Sequence, residues 1–265
     1  MLIGMRGIQN MEYAIVLIFG AIIGSFLNVC IYRLPLNKSI VGPRSFCPFC
    51  EKTIRWYDNV PLLSYIVLRG KCRRCSNPIA FRYFIVEGLT ALLSAVLFYY
   101  FSLTAAFFVY WLFASSLMIV TFIDIEYQEI PDEISIPGIF VGIALVTFFK
   151  LDASGQHVPA LINSALGVLA GGGSMFLLGM IGELIFRKEA LGGGDVKLMA
   201  MIGAFLGWKL VLLTFFMAPI FGSIVGIFLK IKFKREIIAY GPYLSLAAII
   251  SLVCGDKILR YLFGI

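Results

Sequence analysis

The chain has 265 residues, of which 60% are hydrophobic and 14% are charged, and its formal net charge at pH 7 is +7. Ordinary soluble domains are about 45–50% apolar and about 25% charged, so this composition excludes a soluble globular protein and predicts one that crosses a lipid bilayer several times. The basic residues follow neither the pattern of a groove nor that of a recognition helix. We therefore expect no nucleic-acid partner.

The predicted elements are eight apolar segments. Each is interpreted as a membrane-spanning helix, because a helix needs about 20 apolar residues to cross the hydrocarbon core. In chain order they are 12–32, 83–101, 104–123, 134–149, 159–184, 196–207, 210–229 and 240–254. The sixth and eighth are short, and we expect the sixth to be tilted or shielded by its neighbours. The first is too long for the apolar region of a removable signal peptide. The predicted fold is an all-α polytopic membrane protein.

A polar segment, 33–82, lies between the first two spans and carries two C-x-x-C pairs, Cys47/Cys50 and Cys72/Cys75. Two such pairs about 20 residues apart are typical of a tetrahedral four-cysteine zinc site. The alternatives are two disulfides or free thiols. A segment of this size also needs more than its own core to stay folded, which favours a structural metal. We predict three domains: a first helix (1–32), a zinc module (33–82) and a seven-helix membrane domain (83–265).

The distribution of Lys and Arg predicts the orientation, because cytoplasmic loops are enriched in both. Segment 33–82 holds ten of the 22 basic residues. If it is cytoplasmic, the loops 124–133, 185–197 and 230–239 are cytoplasmic too, and 17 basic residues lie inside. Both termini are then outside. The reducing cytoplasm disfavours disulfides, so this orientation favours zinc in segment 33–82.

Two aspartates stand at the predicted cytoplasmic ends of spans: Asp124 in TFIDIEYQEIPD and Asp195 in LGGGDVK. Carboxylates beside hydrocarbon are costly and often functional, although solvated interfacial charges are the alternative. The glycines at 192–194 allow unusual backbone angles and close approach by another chain. Two carboxylates a few Å apart share a proton, so that one activates water while the other polarises a peptide carbonyl. This is the chemistry of aspartic proteases.

Four motifs together resemble those of the bacterial type IV prepilin peptidases, which belong to the G-x-G-D membrane aspartic proteases. They are GSFLNVCIYRLP (24–35), CPFC and CRRC followed by FRYFIVE (81–87), FIDIEYQEIPD (122–132) and ALGGGDVKLMAMIGAFLGW (190–208). The resemblance covers almost the whole chain. It implies a multi-pass enzyme of the bacterial inner membrane, serving type IV pili or type II secretion. Such an enzyme cleaves the leader of prepilins or pseudopilins at the cytoplasmic face and N-methylates the new N-terminus using S-adenosylmethionine.

The resemblance also implies roles for single residues. Asp124 and Asp195 are the catalytic pair, Gly192 and Gly194 support the second aspartate, and Glu87 is either a site residue or an ion-pair partner of Arg82. No residue can be assigned to S-adenosylmethionine; Gly24, Ser25 and the glycines of 170–175 are interpreted as helix-packing positions. The methyltransferase is expected in 33–82. The acidic residues Glu126, Glu129, Asp132 and Glu133 either attract the basic leader or are simply solvated.

Two other classes of function remain open from the sequence. An ion or metal transporter would place its carboxylates at mid-span, where they bind a cation, and would use the cysteines to sense metal. A non-enzymatic assembly scaffold would use the cysteine module as a docking surface and tolerate Asp→Asn changes at both aspartates. The sequence specifies neither the particular prepilin nor an oligomeric state.

Overall fold

The computed structural model describes residues 2–152, 155–187, 191–233 and 239–264, most of which are helical, and these residues form no sheet. Of the basic residues assigned to the inside, Lys188, Lys234 and Arg235 lie outside the described residues, as does Ala190 of the last motif. The α-helices are α1 (Leu2–Arg33), α2 (Leu63–Val67), α3 (Arg82–Phe101), α4 (Ala105–Tyr127), α5 (Asp132–Phe148), α6 (His157–Phe186), α7 (Gly193–Phe233) and α8 (Gly241–Phe263).

Six helices of the described part are long and apolar enough to cross a membrane: α1, α3, α4, α6, α7 and α8. The protein is therefore a multi-pass membrane protein, as the composition predicts. The difference from eight predicted segments has two sources. The fourth segment is α5, which has only 17 residues. The sixth and seventh segments together form α7, which is 41 residues long and contains a break at Gly207.

Gly207 has φ 75° and ψ 175°, a conformation outside the helical region and in the positive-φ range that favours glycine. A Cβ atom at this position would lie 2.5 Å from the side-chain amide of Asn163. The same amide accepts a hydrogen bond of 3.4 Å from the N–H of Trp208, the first residue after the break. Asn163 on α6 therefore holds the chain at the point where α7 is interrupted.

The two halves of α7 run in opposite directions. The ring of Tyr240 lies 3.6 Å from where Gly222, in the second half, would carry a Cβ atom. Tyr240 also lies close enough to Asp195, in the first turn of the first half, to be influenced by its charge. A straight helix would separate residues 195 and 222 by about 40 Å, so α7 folds back at Gly207. The sequence-based division into spans 196–207 and 210–229 is in this sense confirmed.

The chain divides into two compact units, residues 1–107 and 108–265. In the first unit, α1 and α3 pack closely through glycine: a Cβ atom at Gly24 would lie 2.7 Å from the Cα atom of Glu87. This confirms Gly24 as a packing position. Helix α1 ends at Arg33 and α3 begins at Arg82, each one residue from a predicted domain boundary. That these boundaries also separate parts of the chain with different functions remains a prediction.

In the second unit, the first half of α7 is enclosed by other helices. Its apolar side chains Leu198, Met199, Met201 and Ile202 are all fully buried. Gly203 meets Gly167 of α6 so closely that a Cβ atom on Gly203 would lie 2.0 Å from the carbonyl oxygen of Gly167. This half spans only about 21 Å, less than the roughly 30 Å hydrocarbon core. The predicted shielding of the short sixth segment is confirmed.

The glycines of 170–175 on α6 serve the same packing. A Cβ atom at Gly171 would lie 2.3 Å from the carbonyl oxygen of Met199, and one at Gly172 would lie 3.2 Å from the Cβ atom of Ala200. A Cβ atom at Gly173 would meet nothing within 4 Å. The interpretation of this stretch as a packing face is confirmed for Gly171 and Gly172.

Candidate active site

Asp124 lies in the last turn of α4 and is almost fully buried, with 6% of its surface exposed. The apolar residues before it, Val120 and Ile123, anchor the end of α4 in the interior. Its carboxylate Oδ2 accepts a hydrogen bond of 2.7 Å from the backbone N–H of Gly241, the first residue of α8. A buried charge needs such a donor, because burial without a partner is costly.

Asp195 lies in the first turn of α7 and is half-buried. Its backbone N–H donates to the carbonyl oxygen of Gly192 at 3.1 Å, which closes the turn that starts the helix. Its carboxylate lies close enough to Asp124 for direct electrostatic repulsion between the two. The fold therefore brings together the two aspartates that are 71 positions apart in the sequence. Both stand in terminal helical turns, whereas a transporter site would place them at mid-span.

The loop between α4 and α5 packs against the start of α7. The side chain of Ile130 covers Gly194, where a Cβ atom would lie 2.9 Å from the Cβ atom of Ile130. Next to it, Lys197 Nζ contacts both carboxylate oxygens of Asp132 at 2.7 Å. Two contacts thus hold the start of α7, one against the loop that follows Asp124 and one against the first residue of α5.

Ile130 of the same chain closely approaches Gly194, whereas approach by another chain stays a prediction. The glycines of the described residues that have positive φ lie elsewhere, and Gly193 begins α7, so the backbone freedom of these glycines is not used. At Gly192 a Cβ atom would meet Asp195 Oδ2 at 3.4 Å, an ordinary contact. The small side chains therefore matter here for space, and no positive φ is needed.

Tyr240 precedes α8 and faces the same region. Burial and then the nearby charge of Asp195 raise the pKa of Tyr240 to about 12. The phenol therefore stays protonated at neutral pH and is available as a hydrogen-bond donor beside the carboxylate pair.

Glu87 lies in the first unit, near the start of α3, and is buried. Its Oε2 accepts a hydrogen bond of 2.7 Å from the backbone N–H of Leu62, and Ser25 is also within hydrogen-bonding reach. Leu62 has a positive φ of 61°, which is unusual for a residue with a branched side chain. Glu87 thus ties the polar segment 33–82 to α3, while a role in a site remains a prediction.

The four cysteines of the polar segment, Cys47, Cys50, Cys72 and Cys75, come together, with all four Sγ atoms within 4.8 Å of one another. All six cysteines of the chain are free. Zinc with Zn–S bonds of about 2.3 Å needs sulfurs roughly 3.8 Å apart. The Sγ atoms of Cys47 and Cys75 are separated by 3.8 Å. The cluster fits a tetrahedral zinc site.

The two C-x-x-C pairs have the same local structure. In each, the residue after the second cysteine is left-handed, Glu51 with φ 55° and Ser76 with φ 56°, and its N–H donates to the carbonyl oxygen of the first cysteine. Each turn thereby directs both thiols to one side. The backbone N–H groups of Cys75 and Arg74 lower the pKa of the Cys72 thiol to about 7. A lowered pKa favours the thiolate, the form that binds metal.

The sequence does not identify four residues that contact or neighbour the aspartates: Gly241, Tyr240, Ile130 and Lys197. Gly241 and Tyr240 stand in the stretch YGPYL, at the beginning of the predicted span 240–254. A glycine followed by proline at the start of a helix is a recognisable signal, but its contact is 117 positions away. Ile130 and Lys197 flank the two aspartates, and nothing local indicates which residue each one meets.

The fold and the site define a polytopic membrane protein with two neighbouring carboxylates, one buried and one half-buried, in the terminal turns of α4 and α7. Residues 18–101 match the Bacterial Peptidase A24 N-terminal domain, and residues 111–227 match the Type IV leader peptidase family. No solved structure matches the chain.

Several curated relatives carry the name prepilin leader peptidase/N-methyltransferase. The one from Aeromonas salmonicida (strain A449) is 34% identical over 97% of this chain and 95% of its own length. The one from Legionella pneumophila is 32% identical over 95% of this chain and 94% of its own length. The one from Myxococcus xanthus (strain DK1622) is 40% identical over 82% of this chain, and the match spans 63% of that protein. The chain belongs to the type IV leader peptidase family.

Proposed function

We propose that this protein is a membrane aspartic endopeptidase that removes the leader of prepilins or pseudopilins and then N-methylates the new N-terminus. The observation that carries the peptidase assignment is that Asp124 and Asp195, in the terminal turns of α4 and α7, lie close enough for their charges to interact. Membership of the type IV leader peptidase family supports the substrate class. The names of the full-length relatives support the second activity.

The carboxylate pair acts on a peptide bond through one shared proton. The ionised aspartate takes a proton from water, whose oxygen then forms a bond to the scissile carbonyl carbon, while the protonated aspartate gives its proton to the carbonyl oxygen. The tetrahedral intermediate collapses as the C–N bond breaks. The leaving nitrogen receives the proton that the first aspartate took from water, and a hydroxyl proton of the intermediate returns to the second aspartate. The products are the leader with a free carboxylate and the mature pilin with a free amine. The pair titrates as one unit.

The position of the pair in terminal helical turns suits this substrate. A prepilin has a basic leader followed by an apolar helix, so its scissile bond lies at the membrane surface, where helices α4 and α7 end and begin. Glu126, Glu129, Asp132 and Glu133 are all exposed beside the site. They attract the basic leader. Asp132 also pairs with Lys197.

We place the active site and the cysteine module on the cytoplasmic side of a bacterial inner membrane. The ten basic residues of segment 33–82 support this orientation through the positive-inside rule. A prepilin leader is also presented from the cytoplasm. The same residues are attracted by the anionic lipid of the inner leaflet.

S-adenosylmethionine, when bound, supplies the methyl group that the new N-terminal amine accepts. We assign this activity to the first unit without naming the residues that bind the cofactor. Cys47, Cys50, Cys72 and Cys75 hold a structural zinc ion in that unit. Its binding stabilises a segment that has little apolar core of its own. The guanidinium group of Arg33 donates hydrogen bonds to the carbonyl oxygens of Ser39 and Pro43, at 2.8 and 2.6 Å, and so folds the segment back onto the end of α1.

The direct test uses purified protein in detergent with a prepilin, with and without S-adenosylmethionine, and reads the product mass. We expect a shortened pilin in both reactions and a gain of one methyl group only with the cofactor. The Asp195→Asn variant is the control for contaminating proteases. An uncut prepilin would overturn the peptidase assignment, and a trimmed product that never gains a methyl group would overturn the transferase assignment.

A further inference from the structure

The start of α8 lies directly against Asp124. The backbone N–H of Gly241 donates to Oδ2 at 2.7 Å, and both groups are buried. The first N–H groups of a helix have no partner within the helix, so this donor is available for another group. Pro242, the next residue, has no N–H at all. Gly241 is therefore the residue at this helix start that supplies a hydrogen bond to the carboxylate.

The position requires glycine because the carboxylate occupies the space of a side chain. A Cβ atom on Gly241 would lie 2.7 Å from Oδ2, 3.3 Å from Cγ and 3.4 Å from Cβ of Asp124. Contacts below 3.0 Å are not tolerated without a shift of one partner. The partner that would have to move is the carboxylate, since Gly241 is fixed in the backbone of α8. Alanine at this position thus displaces Asp124 while retaining the N–H.

The hydrogen bond distinguishes the two oxygens of Asp124. Oδ2 is held by Gly241, and Oδ1 has no hydrogen-bond partner among the residues that the structure describes. The charged form of a carboxylate is favoured by a backbone N–H and by the positive end of a helix dipole. Two ionisable groups lie nearby. The charge of Asp124 acts on Asp195 of α7, and the phenol of Tyr240 lies near Asp195 in turn.

We propose that Gly241 is a positioning residue for Asp124: its N–H fixes Oδ2, so that Oδ1 is the oxygen that takes the proton from the attacking water. This inference rests on the proposed peptidase function. Asp124 is then the ionised member of the pair at the moment of attack, and Asp195 is the member that gives its proton to the carbonyl oxygen.

The first test is kinetic and compares Gly241→Ala with Gly173→Ala. The control glycine lies on α6, where a Cβ atom would meet nothing within 4 Å. A displacement of about 1 Å at a reacting group costs on the order of 10²-fold in rate. We expect Gly241→Ala to lower kcat by that order and to move the acid limb of the pH–rate profile to higher pH, because the charged form loses its donor. Gly173→Ala should leave both unchanged. Cleavage by Gly241→Ala at the wild-type rate would overturn the proposal.

The second test needs no activity and no folded glycine variant. Tyr240–Gly241 is the single Tyr-Gly pair in the sequence, so carbonyl-¹³C tyrosine combined with ¹⁵N glycine gives one NMR cross-peak from Gly241. We expect its amide proton to move upfield in Asp124→Asn and to stay close to its position in a variant of the distant Cys254, such as Cys254→Ser. An amide proton that does not respond to Asp124→Asn would overturn the positioning contact. If the wild type shows the contact but never cleaves a prepilin, the proposed peptidase function is wrong, whereas the contact between Gly241 and Asp124 still holds.

Discussion

The contact between Gly194 and Ile130 sets the distance between the loop after Asp124 and the turn that carries Asp195. A Cβ atom at Gly194 would lie 2.9 Å from the Cβ atom of Ile130. Carbon atoms in good contact are about 3.5–4.0 Å apart, so the Gly194→Ala substitution requires a movement of about 1 Å. A movement of this size beside reacting groups lowers the rate by about 10²-fold. We expect Gly194→Ala to lower kcat/KM for prepilin cleavage by that order.

The neighbouring Gly193→Ala is a matched control, because a Cβ atom there would meet nothing within 4 Å. Both substitutions add the same methyl group to the first turn of α7, so their shared effect on helix propensity cancels. The penalty at Gly194 should also be smaller in an Ile130→Gly background, which removes the opposing Cβ atom. Equal cleavage rates for Gly194→Ala and Gly193→Ala, measured by mass spectrometry of the product, would refute the constraint.

Three further outcomes are expected. Cys72→Ser should abolish the stoichiometric zinc that we expect in purified protein, measured by plasma mass spectrometry, while Cys30→Ser retains it; zinc-free wild type would contradict this. Lys197→Met and Asp132→Asn should each change the free energy of unfolding by less than about 1 kcal/mol, because the ion pair is exposed. If the two effects simply add in the double mutant, the ion pair contributes nothing to stability. Gly203→Val should destabilise the second unit by about 3 kcal/mol, seen as a lower Tm, since its side chain meets the backbone of α6.

The sequence makes the two aspartates recognisable because charge is rare next to apolar spans. Asp124 closes one apolar run and Asp195 opens another, and the orientation of the spans puts both ends on one side. The break at Gly207 falls at the division between the predicted spans 196–207 and 210–229. These features depend on local pattern and on the fixed thickness of a bilayer.

Contacts between distant segments are the part that local pattern cannot provide. Gly241 reads as an ordinary glycine at the start of a helix, and its importance comes from a carboxylate 117 positions away. Glu87 was expected to face Arg82 or a site, whereas its carboxylate holds the backbone of Leu62. In both cases a backbone N–H is the partner. Every residue except proline has one, so its use leaves no trace in the sequence.

The central claim is that Asp124 and Asp195 cleave the prepilin as a pair. The most direct measurement compares prepilin cleavage by the wild type, Asp124→Asn and Asp195→Asn, with methylation of an already trimmed pilin as a measure of folding. Each variant should lose cleavage by at least about 10²-fold and keep methylation, because either amide removes the shared proton from the pair. A variant that still cleaves at a rate near that of the wild type would contradict the paired mechanism.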